Sequence, residues 1–344
     1  MKHKEIIIFS RDLKYSLGGL EIFNENMMNQ MTERNIKFHH VKSSTFSSTK
    51  KYLNYMSRLK KTISLYKKQQ HPILIQYGSF LDVLSALILS KFCCKPYIIC
   101  HIGSAWLHIR VYPLRKLTEH ILKKYCNNVF YIADLQKKII NLPQKSIKAP
   151  TIINKNFALD GEKTNRRDFL YLGRISETKG IFDLIKAYKK IPRHLKEKNS
   201  LHIYGPGEKS IIRNMMQEIE NDPFIEYKGI ILDEELKKNI YYQYRILVSA
   251  SIYDAFPLNV LEAAASGVIP IVSNVSEAAN FVNHSNLICA PNRPEELKEK
   301  MIWALESTDQ LRPHVEEMKK ESRKYATGKL VLFLKSEILN CEIK

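Results

Sequence analysis

Two acidic residues, Asp254 and Glu262, stand eight positions apart, and their carboxylates could hold hydroxyl groups on both sides of a bound phosphate. Asp254 is predicted to lie just before a helix, and Glu262 about one and a half turns inside it. The free N–H groups at a helix start can bind a phosphate. Phe256, Pro257 and Leu258 stand at this start and are therefore predicted to line the ligand site. An isolated acidic pair is more often a helix cap and an exposed helix residue, so the surrounding elements decide between the two interpretations.

Two short apolar runs flank the acidic pair and are typical of buried strands, over residues 245–249 and 268–272. Between them, Pro257 suits a first helical position and Gly267 suits the residue just past a helix end. A strand, a helix and a strand in this order form a parallel crossover unit. Ligands bind beyond the carboxyl ends of the strands in such sheets, and residues 250–256 lie at that end.

A second loop carries two cations five positions apart, Arg174 and Lys179. It follows a strand pattern over residues 168–172 and precedes an amphipathic helix predicted over residues 181–191. Arginine offers a planar fork to phosphate oxygens, and lysine offers a point charge. A diphosphate leaving group needs this arrangement, because its charge must be neutralised before the bond to it breaks.

Several stretches of the second half resemble the C-terminal domain of the retaining family 4 glycosyltransferases, and they occur in that family's order. The matching stretches are residues 172–174 with 179–180, residues 203–207, residues 225–229 and residues 249–270. The family has the GT-B architecture. The resemblance therefore predicts an α/β protein with two Rossmann-like domains, whose parallel sheets face a central cleft.

The resemblance also assigns roles to individual residues. It implies that Arg174 and Lys179 bind the diphosphate of a nucleotide-sugar donor, that Asp254 contacts the donor sugar and that Glu262 binds the ribose. The family usually has Glu where Asp254 stands, so the carboxylate lies one methylene further back. Further predicted donor contacts are Gly205, Gly229 and Ile230. Members of the family stabilise the charge of the diphosphate with Arg, Lys and helix dipoles, so no metal and no other cofactor is expected.

The N-terminal half resembles the acceptor domain of the same family. A first strand is predicted over residues 5–10 and a helix over residues 20–34. Gly18 and Gly19 at the start of this helix match the family's glycine pair beside the donor phosphates; a simple turn into the helix is the alternative. A strand over residues 97–100 leads into His101, which matches a donor-contacting histidine of the family and is preferred over the other ten histidines.

The predicted domains are residues 1–157 for the acceptor and residues 158–325 for the donor, with residues 326–344 packing back on the first domain. Residues 151–154 resemble the strand that closes the acceptor domain, although Lys155 stands where the family has Gly. The 344 residues are 44% hydrophobic, which is enough for two cores, and the alternation of strand and helix patterns indicates parallel sheets.

The formal net charge of +19 exceeds what a nucleotide-sugar site needs and indicates a polyanionic partner. No nucleic-acid motif is recognisable. Residues 50–68 combine many lysines with an apolar stripe at helical spacing, which suits a helix lying on an anionic membrane. A surface helix that packs this stripe on the sheet is the alternative. Residues 110–124 form a second basic stretch, so an anionic membrane is favoured over nucleic acid.

The compartment is predicted to be the cytoplasm, on the inner face of the cell membrane. The six cysteines show neither a disulfide framework nor zinc-ligand spacing. No apolar run reaches the length of a membrane span, and the first apolar stretch is too short for a signal peptide.

The sequence thus predicts a retaining glycosyltransferase. It would move a sugar from a UDP- or GDP-sugar to a lipid-linked saccharide in bacterial surface polysaccharide or lipopolysaccharide synthesis. A nucleotide-sugar epimerase of the same architecture is one alternative, and a basic nucleic-acid-binding module is the other.

Overall fold

A computed structural model describes residues 5–10, 19–42, 50–77, 79–103, 112–160 and 166–339. The chain divides into two compact units. Unit 1 comprises Met1–Ile152 together with Gly328–Lys344, and unit 2 comprises Ile153–Thr327.

Unit 1 contains a six-stranded parallel sheet with the order β2-β1-β3-β4-β5-β6. Its strands are β1 (Ile6–Ser10), β2 (Phe38–Lys42), β3 (Ile73–Tyr77), β4 (Ile98–Ile102), β5 (Asn128–Tyr131) and β6 (Ser146–Lys148). Its helices are α1 (Gly19–Glu33), α2 (Lys50–Gln69), α3 (Phe80–Phe92), α4 (Tyr112–Tyr125) and α5 (Asp134–Ile139). Every residue of β1 is buried, as expected for a parallel strand covered on both faces.

Unit 2 contains a second six-stranded parallel sheet, with the order β12-β11-β10-β7-β8-β9. Its strands are β7 (Arg167–Leu172), β8 (Leu201–Tyr204), β9 (Ile225–Gly229), β10 (Tyr244–Ser249), β11 (Ile269–Ser273) and β12 (Ile288–Cys289). Its helices are α6 (Ile181–Lys189), α7 (Arg193–Lys196), α8 (Lys209–Ile219), α9 (Glu234–Gln243), α10 (Leu258–Ala265), α11 (Glu277–Val282), α12 (Pro294–Glu306) and α13 (Thr308–Arg323). The two predicted parallel α/β sheets are confirmed.

After unit 2 the chain returns to unit 1 as α14 (Lys329–Leu334). Phe333 of α14 packs edge-on against Phe130 of β5, with 5.0 Å between ring centroids. α14 therefore packs against the sheet of unit 1.

Two strand predictions in unit 1 need correction. Residues 151–154 do not form a strand, and β6 is the edge of the sheet. Ile153 N–H instead donates to Tyr325 O, and the Asn154 side chain accepts from Asn156 N to start a short 3-10 turn. His101 lies inside β4, next to its last residue, rather than after the strand.

Leu59, Ile63 and Tyr66 of the α2 apolar stripe pack in the core of unit 1, whereas Met56 of the same stripe is 50% exposed, so the prediction that this helix lies on a membrane by the whole stripe is wrong. Leu59 and Tyr66 are buried, and Ile63 is half-buried. Arg58 is buried too, where it donates to Ser10 O at 2.8 Å and stacks over the ring of Phe9. The alternative of an ordinary surface helix is the observed one. Among the α2 residues whose side chains the structure describes, the exposed lysines are Lys60, Lys61, Lys67 and Lys68.

Within the described ranges, no helix combines the length and the apolar character that crossing a membrane requires.

Candidate functional site

The reversal of strand order in unit 2 places two loops side by side. From β7 the sheet grows outward through β8 and β9, and then the chain returns to the other side of β7 with β10, β11 and β12. In open parallel sheets, ligands bind at this reversal point, beyond the carboxyl ends of the strands. The loops that follow β7 and β10 carry the predicted residues Arg174, Lys179 and Asp254.

The two loops are joined through their backbones. Ile252 N–H donates to Thr178 O at 2.9 Å. Gly180, which precedes α6, has a φ of +68°, and a Cβ atom there would come within 1.9 Å of Ala250 O. The close approach of the loops therefore requires glycine at this position.

Gly180→Ala is expected to destabilise the protein by about 2 kcal/mol or more, because left-handed strain adds to a backbone overlap. Gly229→Ala is the matched control, since Gly229 also has a positive φ (+87°) but no atom lies within 4 Å of its Cβ position. Urea unfolding of both variants measures the difference. Equal losses would mean that the two loops are not in close contact.

Asp254 and Lys179 form an ion pair across the two loops. The carboxylate is buried, at 4% exposure, and the ammonium group is partly exposed. A buried carboxylate is costly without a partner, and Lys179 compensates the charge of Asp254. Burial and the charge of Asp254 both raise the pKa of the neighbouring Tyr171.

Arg174, five positions before Lys179 on the same loop, is exposed. Its backbone is fixed, because Tyr171 Oη donates to Arg174 O at 2.6 Å. Among the described residues the guanidinium has no acidic partner within salt-bridge distance. An exposed guanidinium without an acidic partner can bind an anionic ligand.

The glycine that follows β8 is needed for packing. A Cβ atom on Gly205 would come within 1.8 Å of Gly173 O, and Gly205 N–H donates to Gly229 O at 2.9 Å. Its missing side chain therefore accommodates the β7 loop. The predicted approach of a nucleotide to the backbone here stays a prediction. Beside it, Gly229 ends β9 and Ile230 is exposed.

The start of α10 is close to the predicted one. The helix begins at Leu258, with Pro257 as the residue before it, and Gly267 follows its end. Phe256 is half-buried, with its ring 5.9 Å from Phe281 and 6.2 Å from Tyr325. Its side chain thus contributes to packing within unit 2.

Glu262, on α10, is 1% exposed, and both of its oxygens have partners. Lys237 Nζ lies 2.7 Å from Oε1, and Tyr241 Oη donates to Oε2 at 3.0 Å. Burial alone would lower the pKa of Lys237, but the charges and hydrogen bonds of Glu262 and Glu234 outweigh it and raise that pKa. The alternative of an exposed helix glutamate is excluded.

Sequence reasoning missed Lys237 and Tyr241. They stand four positions apart on α9, so they share one helix face, and this spacing was the only available signal. Ordinary surface helices show the same spacing, and Glu262 is 25 positions away from Lys237. Only the packing of α9 beside α10 brings the three side chains together.

In unit 1, His101 is buried and stacks on Phe23, with 4.8 Å between ring centroids and 10° between the planes. Its Nδ1 lies 2.7 Å from Gln76 Oε1, an acceptor, so Nδ1 carries the proton and Nε2 is left as an acceptor. Burial lowers the pKa of His101 to about 4, so the ring is neutral at pH 7. Nε2 has no partner among the described residues. Gly19 begins α1, and Gly18 lies outside the described residues.

A further cluster that the sequence analysis did not anticipate lies beside the amino ends of β1 and β3, formed by Glu5, His39 and His71. One ligand atom from each lies within 4.8 Å of the others, as a metal site would require. However, Glu5 N–H donates to His71 Nδ1 at 3.2 Å, which leaves the proton on Nε2, the atom that faces Glu5. A protonated nitrogen cannot bind a metal, so the present geometry is that of a hydrogen-bonded cluster.

The sequence model of the family described as "Glycosyl transferases group 1" matches residues 153–325. The chain is 27% identical over 139 residues to O-antigen chain mannosyltransferase B of Escherichia coli, a match that covers 40% of this chain but only 36% of that protein.

Two solved structures share the fold. Sucrose-phosphate synthase of Thermosynechococcus elongatus has a TM-score of 0.80 at 15% identity, covering 97% of this chain and 98% of that one. HepE of Anabaena in complex with UDP has a TM-score of 0.75 at 11% identity, covering 97% and 99%. Both likenesses extend over nearly all of the chain. From the family match over residues 153–325 and this shared GT-B fold, the chain belongs to the glycosyl transferases group 1.

Proposed function

We propose that this protein is a retaining glycosyltransferase of family 4 that moves a sugar from a nucleoside diphosphate sugar to a lipid-linked saccharide in surface polysaccharide synthesis. One observation carries the proposal. An exposed Arg174 without an acidic partner in the described structure and the Lys179–Asp254 ion pair lie together at the strand reversal of unit 2.

The two cations suit a diphosphate. The planar guanidinium of Arg174 would donate two hydrogen bonds to the phosphate oxygens, and Lys179 would add a point charge. As the bond to the sugar breaks, negative charge develops on the leaving diphosphate, and fixed cations stabilise it most at that moment. We propose that these two side chains do so without a divalent ion and without any other cofactor.

Asp254 would take over a different task once a donor is present. When the diphosphate draws Lys179 toward itself, the buried Asp254 carboxylate needs new hydrogen-bond donors. The hydroxyl groups of the donor sugar can supply them. In unit 1, His101 Nε2 offers an acceptor for a sugar hydroxyl, since its ring is neutral and held by Gln76.

Retention of configuration follows if the acceptor attacks from the face that the diphosphate leaves, with the leaving phosphate taking the acceptor's proton. This route needs no nucleophilic side chain, and the protein contributes charge stabilisation and positioning. The nucleotide base would rest on the loop after β9, where Ile230 and Leu232 expose apolar surface and Gly229 leaves open space.

The mannosyltransferase relative acts on O-antigen chains, and this makes a mannosyl donor the first one to test. A panel of UDP- and GDP-sugars is screened for protection against thermal unfolding, and the best donor is incubated with extracted lipid-linked saccharides. Expected products are free nucleoside diphosphate and a saccharide heavier by one sugar, with the anomeric configuration retained by NMR. A sugar epimerised while still attached to its nucleotide would establish an epimerase instead.

We further propose that the protein works on the cytoplasmic face of an anionic membrane, in contact through α4. This helix exposes Tyr112, Leu114 and Leu117 at 60%, 39% and 44%, whereas α2 buries most of its apolar stripe. Lys116, Lys123 and Lys124 are exposed on the same helix. Apolar and basic side chains together suit the headgroup region of a bilayer.

Replacing Lys116, Lys123 and Lys124 with Glu is expected to abolish sedimentation with anionic liposomes, because each basic residue near such a surface contributes about 1 kcal/mol. The same change at Lys60, Lys61, Lys67 and Lys68 of α2 should weaken binding as well. An equal charge reversal on unit 2, at the exposed Lys186, Lys209 and Lys320, is the control and should bind normally.

Full sedimentation of the α4 variant would contradict the membrane proposal, as would an unmodified protein that ignores anionic liposomes. Salt-reversible binding to nucleic acid in competition with the nucleotide sugar would favour a nucleic-acid-binding module instead.

A further inference from the structure

The carboxylate of Glu262 is held at both oxygens by donors of different kinds. Lys237 Nζ, a cation, lies 2.7 Å from Oε1, and Tyr241 Oη, a neutral hydroxyl, lies 3.0 Å from Oε2. Burial and the nearby charge of Glu262 raise the pKa of Tyr241 well above its ordinary value, so the hydroxyl keeps its proton and stays a donor.

These donors are fixed by their own surroundings. Tyr241 is fully buried, with its ring edge-on to Phe157 at 5.8 Å, and Lys237 Nζ lies over the Phe157 ring at 5.9 Å. Lys237 Nζ also lies 3.6 Å from Glu234 Oε1. Neither donor can move without loss of packing or of charge compensation.

Two acceptor positions remain on the carboxylate. A carboxylate offers about four lone-pair sites, two on each oxygen. Lys237 uses one on Oε1 and Tyr241 uses one on Oε2, which leaves one on each oxygen. A pair of neighbouring hydroxyl groups, as in ribose, presents two donors to such a carboxylate.

We propose that Lys237 and Tyr241 are positioning residues that orient Glu262 toward the 2′- and 3′-hydroxyls of the donor ribose. They thereby set the preference for ribonucleotides over 2′-deoxyribonucleotides. The proposal rests on the proposed function, because it takes a nucleoside diphosphate as the ligand of this site. Without Tyr241 Oη or Lys237 Nζ, the carboxylate can rotate, and its remaining lone pairs no longer match both hydroxyls.

The test compares dissociation constants of a ribonucleoside diphosphate and its 2′-deoxy analogue, using UDP or GDP, whichever binds more tightly. The unmodified protein is expected to prefer the ribo form by about tenfold, the value of one hydrogen bond to a charged group. Tyr241→Phe and Lys237→Met are expected to reduce this ratio to about twofold or less. Circular dichroism verifies that the variants are folded.

Tyr242→Phe is the matched control. Tyr242 is the next residue on α9, is also buried, at 5% exposure, and donates to Leu159 O at 3.1 Å instead of to Glu262. Its loss tests the general effect of removing a buried tyrosine hydroxyl from this helix. The ribo preference of this variant should equal that of the unmodified protein.

Three results would overturn the inference. One is an unchanged ratio in folded Tyr241→Phe. Another is a parallel loss of affinity for both nucleotides, which indicates a merely structural role. The third is equal binding of both nucleotides by the unmodified protein. This result would show that Glu262 does not contact the 2′-hydroxyl, but it would not contradict the diphosphate contacts of the proposed function. If the unmodified protein binds no nucleoside diphosphate at all, the proposed function itself fails.

Discussion

Lys179→Ala is expected to lower turnover by about 100-fold or more, the usual effect of losing one preorganised stabilising group. Two consequences combine. The leaving diphosphate loses a cation, and Asp254, which is buried, loses the partner that compensates its charge. Turnover is measured as release of nucleoside diphosphate with the donor identified by thermal protection.

Lys186→Ala provides the control for the loss of one positive charge. Lys186 is exposed on α6, seven positions further along, and has no acidic partner within salt-bridge distance among the described residues. Its turnover should be normal. Near-normal transfer by a folded Lys179→Ala protein would remove Lys179 from the mechanism, and an equal loss in both variants would reduce its role to net charge.

Glu262→Ala is expected to lower the free energy of unfolding by about 3 kcal/mol, because removing one member of a buried ion pair leaves the other without compensation. Lys237 would keep only Glu234, at 3.6 Å, and the Tyr241 hydroxyl would keep only the longer hydrogen bond to Asn259 O, at 3.4 Å. Glu262→Gln keeps an oxygen acceptor and the size of the side chain, so this variant should lose less free energy of unfolding than Glu262→Ala.

Urea unfolding without nucleotide measures this effect, so the result does not depend on catalysis. Glu220→Ala serves as the control, because Glu220 is exposed at the end of α8. Surface substitutions of this kind usually change the free energy of unfolding by no more than about 0.5 kcal/mol. A loss below about 1 kcal/mol for Glu262→Ala would mean that the Lys237–Glu262 pair is not the buried interaction described above.

The elements around the site could be predicted from the sequence because their signals are local. β7, β10 and α1 begin and end within one residue of their predicted bounds. Each is a dense apolar run or a regular stripe, bounded by glycine or polar residues. The general rule for parallel sheets predicted that each loop lies at the carboxyl end of its strand, whereas their pairing depends on the neighbouring positions of β7 and β10 in the sheet.

The errors occurred where a local pattern fits two structures. Residues 151–154 are apolar enough for a strand, but no neighbouring strand accepts their hydrogen bonds, and Asn154 turns the chain. The stripe of α2 suits a membrane or a sheet equally, and only the position of the helix beside β1 decides. The partners of Glu262 come from α9, a non-local contact that no spacing along the chain encodes.

Calorimetric titration with UDP and GDP tests the central claim most directly, that the loops after β7 and β10 hold a nucleoside diphosphate. The unmodified protein and Lys186→Ala should bind one of the two at a 1:1 ratio. The double variant Arg174→Ala, Lys179→Ala should bind it at least about tenfold more weakly, because two charged hydrogen-bond donors are lost. Undiminished binding by the folded double variant, or no binding of either nucleotide by the unmodified protein, would contradict the claim.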